Sequence, residues 1–403
     1  MTWRHTRLKH LAELPIRNGL GEAGAFDDPA WPRYVRTTDI AGPRKLRDDV
    51  FASLPPVVAS KAMLAAGDIL MTTAGATIGK STTFTEGYPA CYAGFLARFR
   101  PGEAVDGRFI AYWMQSTVYW DQINAGAVRS TIENFSASKY QNLHIAVPSL
   151  DVQRRIADFL DDQVTLLDQA IALRQQQIAL LDERMEALRD SVIDELDAPR
   201  VALRYLTDFF KDGDWIESPY IVDDGIRLIQ TGNIGVGHYK DQGFRYVTQQ
   251  TFDDLGCTEV LPGDVLVSRL SPPVGRAALA PDSGERMIVS VDVAIVRSLS
   301  VRHDYLVQAM STRRHLATVD IASRGATMAR VSRSQLGSFK VPVPDVSRQR
   351  ATATLLVTRQ AEHMRTRALL DEFVRLIREK EHALITAAVT GEFDVLTARR
   401  MSA

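Results

Sequence analysis

Val147–Arg155 reads VPSLDVQRR, and Val343–Ala351 reads VPDVSRQRA. Each stretch closes a strand-like run, turns at a proline and opens a helix that carries Gln-Arg. The two are offset by 196 residues, from Pro148 to Pro344 and again from Gln153 to Gln349. The offset extends outward. AAGDILMTTAGATIGKS (Ala65–Ser81) lies over LPGDVLVSRLSPPVGRA (Leu261–Ala277), so that Gly67-Asp68 matches Gly263-Asp264 and Gly79-Lys80 matches Gly275-Arg276. Upstream, RTTDI (Arg36–Ile40) lies near QTGNI (Gln230–Ile234) with a two-residue slip, and LKHL (Leu8–Leu11) near LRYL (Leu203–Leu206). The chain is two copies of one unit, each ending in a long helix. Two copies are too few for a solenoid and read as pseudo-two-fold architecture within one chain.

Within each copy the body is strand-rich. GDILMTTAG and GDVLVSRL are short runs after a Gly-Asp turn, and HIAVP and FKVPVP are final strands stopped by proline. Val105–Ile123 and Val301–Val319 each carry helical, amphipathic spacing. Strands and helices without βαβ alternation predict two α+β globules. Beyond Pro148 the pattern changes. Leu160, Val164, Leu167, Ile171, Ile178, Leu181, Met185, Leu188 and Val192 step by three and four, with Arg174 in the one polar slot. That is a heptad seam, and about 40 helical residues span roughly 60 Å. Asp151 is the expected cap, and Pro199 follows the end. In the second copy Val357, Ala361, Met364 and Ala368 give way, after a phase slip, to Leu370, Val374, Ile377, Leu384 and Ala388. The two helices are expected to pair antiparallel along this seam. The expected division is residues 1–148 and 198–344 as globules, with 149–197 and 345–395 as the long helices.

The bulk properties fit. A chain of 403 residues has room for two or three domains. Apolar content of 45% and charged content of 24% are ordinary for a soluble protein. No run of about 18 apolar residues is present, and the start has no apolar signal core. Cys91 and Cys257 fall at unmatched positions, which points to a reducing, cytoplasmic setting. A net charge of −1 requires any nucleic-acid surface to be local.

Catalytic and metal motifs are missing. A P-loop needs glycine where this chain has Ala74, five residues before Gly79. Ser271-Pro272-Pro273 is followed by Val274, whereas the adenine-methyltransferase motif places an aromatic there to stack on a flipped base. The eight histidines show no ligand spacing. No catalytic residue, metal or cofactor is therefore assigned to the chain. One basic stretch stands out. Arg313–Lys340 holds Arg313, Arg314, Arg324, Arg330, Arg333 and Lys340 against the single acid Asp320, interleaved with Ser, Thr, Gln and Gly. The corresponding stretch Asn124–Asn142 holds Arg129, Ser130, Thr131, Ser136, Ser138 and Lys139. Such composition suits phosphate contacts, with arginines free to read guanine edges.

These residues resemble a known family, the specificity subunits of type I restriction–modification systems. KDGDWIES (Lys211–Ser218), GIRLIQTGNIG (Gly225–Gly235), YKDQGFRYV (Tyr239–Val247) and CTEVLPGDVLVSRL (Cys257–Leu270) look like one type of target-recognition domain in that family. VPSLDVQRRIADFLD looks like the start of its central helix, and LIREKEHALITAAVTGEFDV (Leu376–Val395) like its C-terminal end. The first copy matches through GDILMTTAGATIGK and the junction. The resemblance implies two target-recognition domains separated by antiparallel helices. Each domain would read half of a split duplex-DNA site, and the helices would set the unread gap. It also implies two adenine-N6 methyltransferase subunits as partners and translocase–nuclease subunits for restriction, in phage defence. S-adenosylmethionine, ATP and Mg would then belong to the partners. DNA contact is expected of Arg36, Thr38, Lys80, Arg129, Ser130 and Lys139 in the first copy. In the second copy it is expected of Gln230, Thr231, Asn233, Arg269, Arg276, Arg324, Arg330 and Arg333. The competing readings are a coiled-coil scaffold whose heads bind proteins, and a fused enzyme.

Overall fold

The computed structural model describes residues 3–127, 134–323 and 329–393. The chain divides into two compact units, Met1–Leu173 with Phe373–Ala403, and Arg174–Glu372. The division falls inside two 45-residue helices, Leu150–Asp194 and Val346–Thr390, so each unit owns part of both. The fold is α+β, and the second unit repeats the main strand pairings of the first.

In the first unit, strand Arg4–Arg7 pairs antiparallel with His144–Val147, the strand that leads into the first long helix. A four-stranded antiparallel sheet follows the order Arg17–Asn18, Leu96–Phe99, Ile69–Thr72, Ser81–Thr83. A separate parallel pair joins Arg33–Val35 to Ala90–Tyr92. The second unit has the same three arrangements. Arg200–Ala202 pairs with Lys340–Pro342. The four-stranded sheet runs Phe209–Asp212, Val293–Arg297, Val265–Ser268, Ala277–Leu279. Ile226–Ile229 lies parallel to Met287–Val289.

The Gly-Asp turns explain themselves in this frame. Asp68 and Asp264 are buried, and each receives a two-pronged guanidinium, from Arg100 and Arg297, with both N···O distances 2.7 Å in each pair. Each carboxylate also accepts the backbone N–H three residues earlier, of Ala65 or Leu261, at 2.8 Å. A buried carboxylate is tolerated only when its lone pairs are filled in this way.

The stretch Ala74–Lys80 joins two strands of a hairpin rather than a strand to a helix. Gly79 has φ +85°, and its N–H donates to the Tyr140 hydroxyl at 3.1 Å. A Cβ there would stand 2.7 Å from the Trp120 ring. Gly275 has the same φ and would meet Val319 at 2.9 Å. The repeated glycine is thus demanded by a left-handed turn pressed against a helix.

Two expectations about helices are corrected. Val105–Ile123 is two helices, Gly107–Trp113 and Thr117–Ala127, because the Ser116 hydroxyl turns back to the Trp113 carbonyl at 2.7 Å. The second copy breaks likewise, into His303–Met310 and Arg313–Ser323. Asp151 lies within the first turn of its helix, exposed and 3.3 Å from Arg155, rather than ahead of it as a cap.

The long helices pack antiparallel within each unit. In the first, Ile171 clusters with Val374 and Ile377, flanked by Leu167 and Ala170, while Leu160, Ile385, Ala388 and Val389 enter the main core. In the second, Asp182 Oδ1 lies 2.8 Å from His363 Nε2, and its other oxygen pairs with Arg367. Partner numbers fall as helix numbers rise, which defines the antiparallel sense. Ile178, Leu181 and Leu188 are half-buried, and Leu188 packs on the second unit's core. Val164, Leu370 and Leu384 are half-buried too.

The phase slip expected in the second helix does not exist. Val357, Ala361, Met364 and Ala368 are exposed. The inward row is Ala353, Leu356, Gln360, His363, Arg367, Leu370, Val374 and Ile377, stepping by three and four throughout. Polar residues at three of these positions hide the seam from a search for apolar spacing.

Candidate nucleic-acid interface

Each unit carries one cleft at the same place in the repeat. The tight turn after the first parallel strand and the loop that leads into that strand form one wall. The turn between the second parallel strand and the next sheet strand forms the other. Backbone hydrogen bonds set the equivalences. Ala93 N–H donates to Val35 O and Ser290 N–H to Ile229 O, both at 2.9 Å. Thr73 N–H donates to Phe95 O at 2.9 Å and Arg269 N–H to Asp292 O at 2.8 Å. Leu20 N–H donates to Tyr92 O at 2.9 Å and Asp214 N–H to Val289 O at 3.0 Å. Hence Gly21 corresponds to Trp215, Arg36 to Gln230, Thr37 to Thr231, Asp39 to Asn233, and Phe95 to Asp292.

The first cleft has a volume of about 530 Å³, and its lining includes Gly21, Glu22, Arg36, Thr37, Thr38 and Phe95. The second has about 520 Å³, and its lining includes Trp215, Gln230, Thr231, Gln242, Arg245 and Asp292. Both hold hydroxyls, guanidinium or amide groups and an aromatic face. That mixture can meet base edges, ribose and phosphate.

The turn bearing these groups is built identically in both. Asp39 Oδ2 accepts the Arg36 N–H at 2.6 Å, and Asn233 Oδ1 accepts the Gln230 N–H at 2.9 Å. Asn233 is buried and also donates to Lys240 O and Gln242 O. It therefore supports the turn, which corrects its expected place among exposed contacts. Thr38 is exposed, and Thr231 is half-exposed. Arg36 doubles back onto Asp39 through Nε and Nη2 while still lining the cleft.

Two further arginines change role. Arg269 is buried, lies 3.2 Å from Asp212, and donates to Val331 O and Val291 O. Arg276 is buried and donates to four carbonyls, of Ile234, Ser271, Pro273 and Thr231. Burial pushes both guanidinium pKa values down. These side chains tie the cleft turns together from beneath and are spent on that task, because every N–H given to a carbonyl is lost to a phosphate. Both were expected to contact DNA; here they are buried and bonded to the loops that line the cleft.

The remaining expected contacts are placed as follows. Arg330 is exposed and holds Asp292 at 2.8 Å, at the lip of the second cleft. Arg333 is exposed, with one bond to Phe210 O at 3.4 Å. Lys80 is exposed on the hairpin, outside the first cleft's lining. Lys139 donates to Gly126 O and Asn134 O and lies over the Phe135 ring. Arg129, Ser130 and Arg324 lie outside the described residues.

Phe95, Trp215, Gln242, Arg245 and Asp292 join the site from structure alone. Arg227 explains the loop that carries two of them. It is buried, stacks 4.4 Å from the Phe244 ring centroid, and donates to Gln242 O at 3.1 Å. Both cysteines are buried, and burial raises each thiol pKa to about 11, which leaves them unreactive. Among the described residues there is no cluster of His, Cys, Asp and Glu fit for a metal, and no helix long and apolar enough to cross a membrane.

The chain is thus a pseudo-repeated pair of α+β units, each with a polar, aromatic-lined cleft and each owning part of both long helices. Residues 53–182 match the family described as the type I restriction modification DNA specificity domain. That stretch is similar to the specificity domain of the type I restriction–modification family that the chain's motifs resemble. The match falls on the first copy and most of the first long helix, where the sequence motifs are fewer. A curated relative, the type I restriction enzyme StySPI specificity subunit of Salmonella potsdam, is 25% identical over 99 residues, covering 25% of this chain and 21% of that protein. The match thus spans about a fifth of the relative's length. A solved structure described as the structural basis underlying complex assembly and conformational transition of the type I R-M system superimposes with a TM-score of 0.72. It does so at 17% identity, over 96% of this chain and 97% of its own. That likeness is one of fold.

Proposed function

We propose that this chain is the DNA-recognition subunit of a type I restriction–modification complex, reading a split duplex site with one half per unit. The observation that carries this is the pair of clefts at corresponding positions, lined by different residues. Arg36 stands where Gln230 stands, and Glu22 where Ile216 stands. Like positions with unlike chemistry suit two half-sites of different sequence. The domain match at residues 53–182 supports the same reading.

Catalysis is assigned to partners. The chain recruits adenine-N6 methyltransferase subunits, and translocase–nuclease subunits for restriction, which bring S-adenosylmethionine, ATP and Mg. Leu166, Leu173 and Leu180, exposed at seven-residue spacing on the first long helix, support a partner-binding role for that helix. The Arg330 and Arg333 side chains, with Arg324, serve the second half-site.

The test is co-expression with methyltransferase subunits from the same operon, followed by genome-wide mapping of N6-methyladenine. A two-part motif with a fixed gap is the expected result. Absence of methylation, with salt-insensitive or no DNA binding by the complex, would leave a protein-binding scaffold as the better reading.

A further inference from the structure

The two clefts differ in one paired feature. In the first, one wall carries Gly21, with no side chain, and the opposite wall carries Phe95. In the second, the Gly21 position is Trp215 and the Phe95 position is Asp292. Each cleft therefore has one large exposed ring, supplied from opposite walls; Tyr34, which also lines the first cleft, is buried. Phe95 is 66% exposed and Trp215 is 68% exposed. Neither has an aromatic or cation–π partner among the described residues, whereas the neighbouring exposed Phe244 lies against Arg227.

An exposed ring of this size is a surface suited to a partner. The wall that bears the ring has changed, yet the ring is present in both clefts. Core packing does not account for that, because neither side chain reaches the core. A requirement for one flat apolar surface beside polar groups does. In the second cleft the polar groups are Gln230, Thr231 and Gln242, and in the first they are Arg36, Thr37 and Thr38. A flat face next to hydrogen-bonding edges is the complement of a nucleobase.

We propose that Phe95 and Trp215 are base-stacking residues: in DNA bound to each unit, one base leaves its stack and lies against the ring, with its edge toward the polar groups of the cleft. This rests on the DNA-reading function above and adds the residues and the deformation that it uses. Removing the base from the stack loses stacking energy, which contact with the ring and cleft offsets. The choice of base step then contributes to specificity beyond hydrogen bonds, because weakly stacked steps open more readily.

The test uses the full chain complexed with its methyltransferase subunits and a duplex carrying the mapped motif. 5-Iodouracil is placed at successive positions through both half-sites and irradiated. Crosslinking to Trp215 at one position is expected, with none in W215L. W215L should weaken binding by roughly 10- to 100-fold, while W215F retains most of the affinity. F95L should act alike on the first half-site only. The inference is overturned if no position crosslinks to either ring and both leucine variants bind like wild type. It is also overturned if W215F is as weak as W215L, since that would indicate a tryptophan-specific structural role. If the wild-type complex shows no binding to any duplex, the DNA-reading function itself falls, and the stacking role with it.

Discussion

Gln153 and Gln349 hold the same three-way junction in the two halves of the chain. Each side-chain amide donates to the carbonyl of the proline five residues earlier, Pro148 or Pro344, at 2.9 Å. Each also accepts a backbone N–H from the start of a remote helix, Asp106 at 3.0 Å or Arg302 at 2.9 Å. Both glutamines are 1% exposed. Strand end, long helix and globular helix are thereby fastened at one side chain. Truncation of Gln349 to Ala would leave a buried carbonyl and a buried N–H unpaired, at a cost of about 1–3 kcal/mol. Urea unfolding of Q349A should show a lower midpoint, and an unchanged midpoint would mean that water replaces the amide.

The second prediction concerns Arg189, which is 2% exposed and, among the described residues, hydrogen-bonded to neutral groups. Its Nε donates to Gln308 Oε1 at 3.0 Å, its Nη1 to Ser311 O at 3.3 Å, and its Nη2 to Gln360 Oε1. Burial pushes its pKa down. By the 196-residue offset, the first unit holds Ile385 where Arg189 stands and Val164 where Gln360 stands, both in its apolar core. A buried polar cluster in one half and an apolar one in the other make the two ends of the seam non-interchangeable. R189I alone should lose about 2 kcal/mol by stranding Gln360. R189I/Q360V should recover part of it, and a double-mutant cycle on unfolding measures the coupling. Additive effects would show that the two side chains act independently.

His315 sets a pH dependence. It is fully enclosed in the second unit, its Nε2 has no hydrogen-bond partner, and burial lowers its pKa to about 4. The unfolded chain binds that proton near pH 6.5. Stability from the neutral imidazole is therefore complete above about pH 6.5 and is lost as the pH falls toward 4, by on the order of 3 kcal/mol. Denaturant midpoints measured from pH 7 to 4.5 should fall less steeply in H315L than in wild type. Parallel curves would mean that the histidine does not contribute.

The helices should act as a ruler. A heptad inserted between Leu173 and Arg174, with another between Glu372 and Phe373, keeps the three-four seam in phase and adds roughly 10 Å to each helix. At about 3.4 Å per base pair, the unread gap should lengthen by about three base pairs, with both half-sites unchanged. Methylation mapping of the insertion variant checks both. An active variant with an unchanged gap, or with altered half-sites, would show that something else sets the spacing.

Electrostatic attraction to DNA should be separable from support of the clefts. R330A/R333A should weaken DNA binding and lower its salt slope by about one for each phosphate no longer neutralised. R276A removes four buried hydrogen bonds and should instead appear as reduced stability in unfolding experiments. If R276A unfolds like wild type yet binds DNA weakly, its side chain reaches DNA after all.

Much of the architecture was legible because repetition is a property of order along the chain. Pro148 and Pro344, Gly79 and Gly275, and Asp68 and Asp264 repeat at one offset, since each is required by local geometry or by a single buried partner. The helical seam was read correctly where it is apolar, at Leu160, Ile171, Val374 and Ile377. It was misread at Val357 and Met364, because the inward positions there hold Gln360, His363 and Arg367, whose partners come from another helix.

The functional site was less legible. Arg269 and Arg276 have the composition of DNA contacts but turn beneath the surface onto carbonyls, and only the fold says which way an arginine points. Phe95 and Trp215 escaped notice because the offset is 194 residues on one wall and 197 on the other, so no single alignment brings the clefts into register. The sequence by itself determined the two copies, the junctions and the long helices, for these rest on spacing and local backbone demands. Only the tertiary structure decided which side chains face the clefts, because that depends on strands and turns far apart in the chain closing over one another.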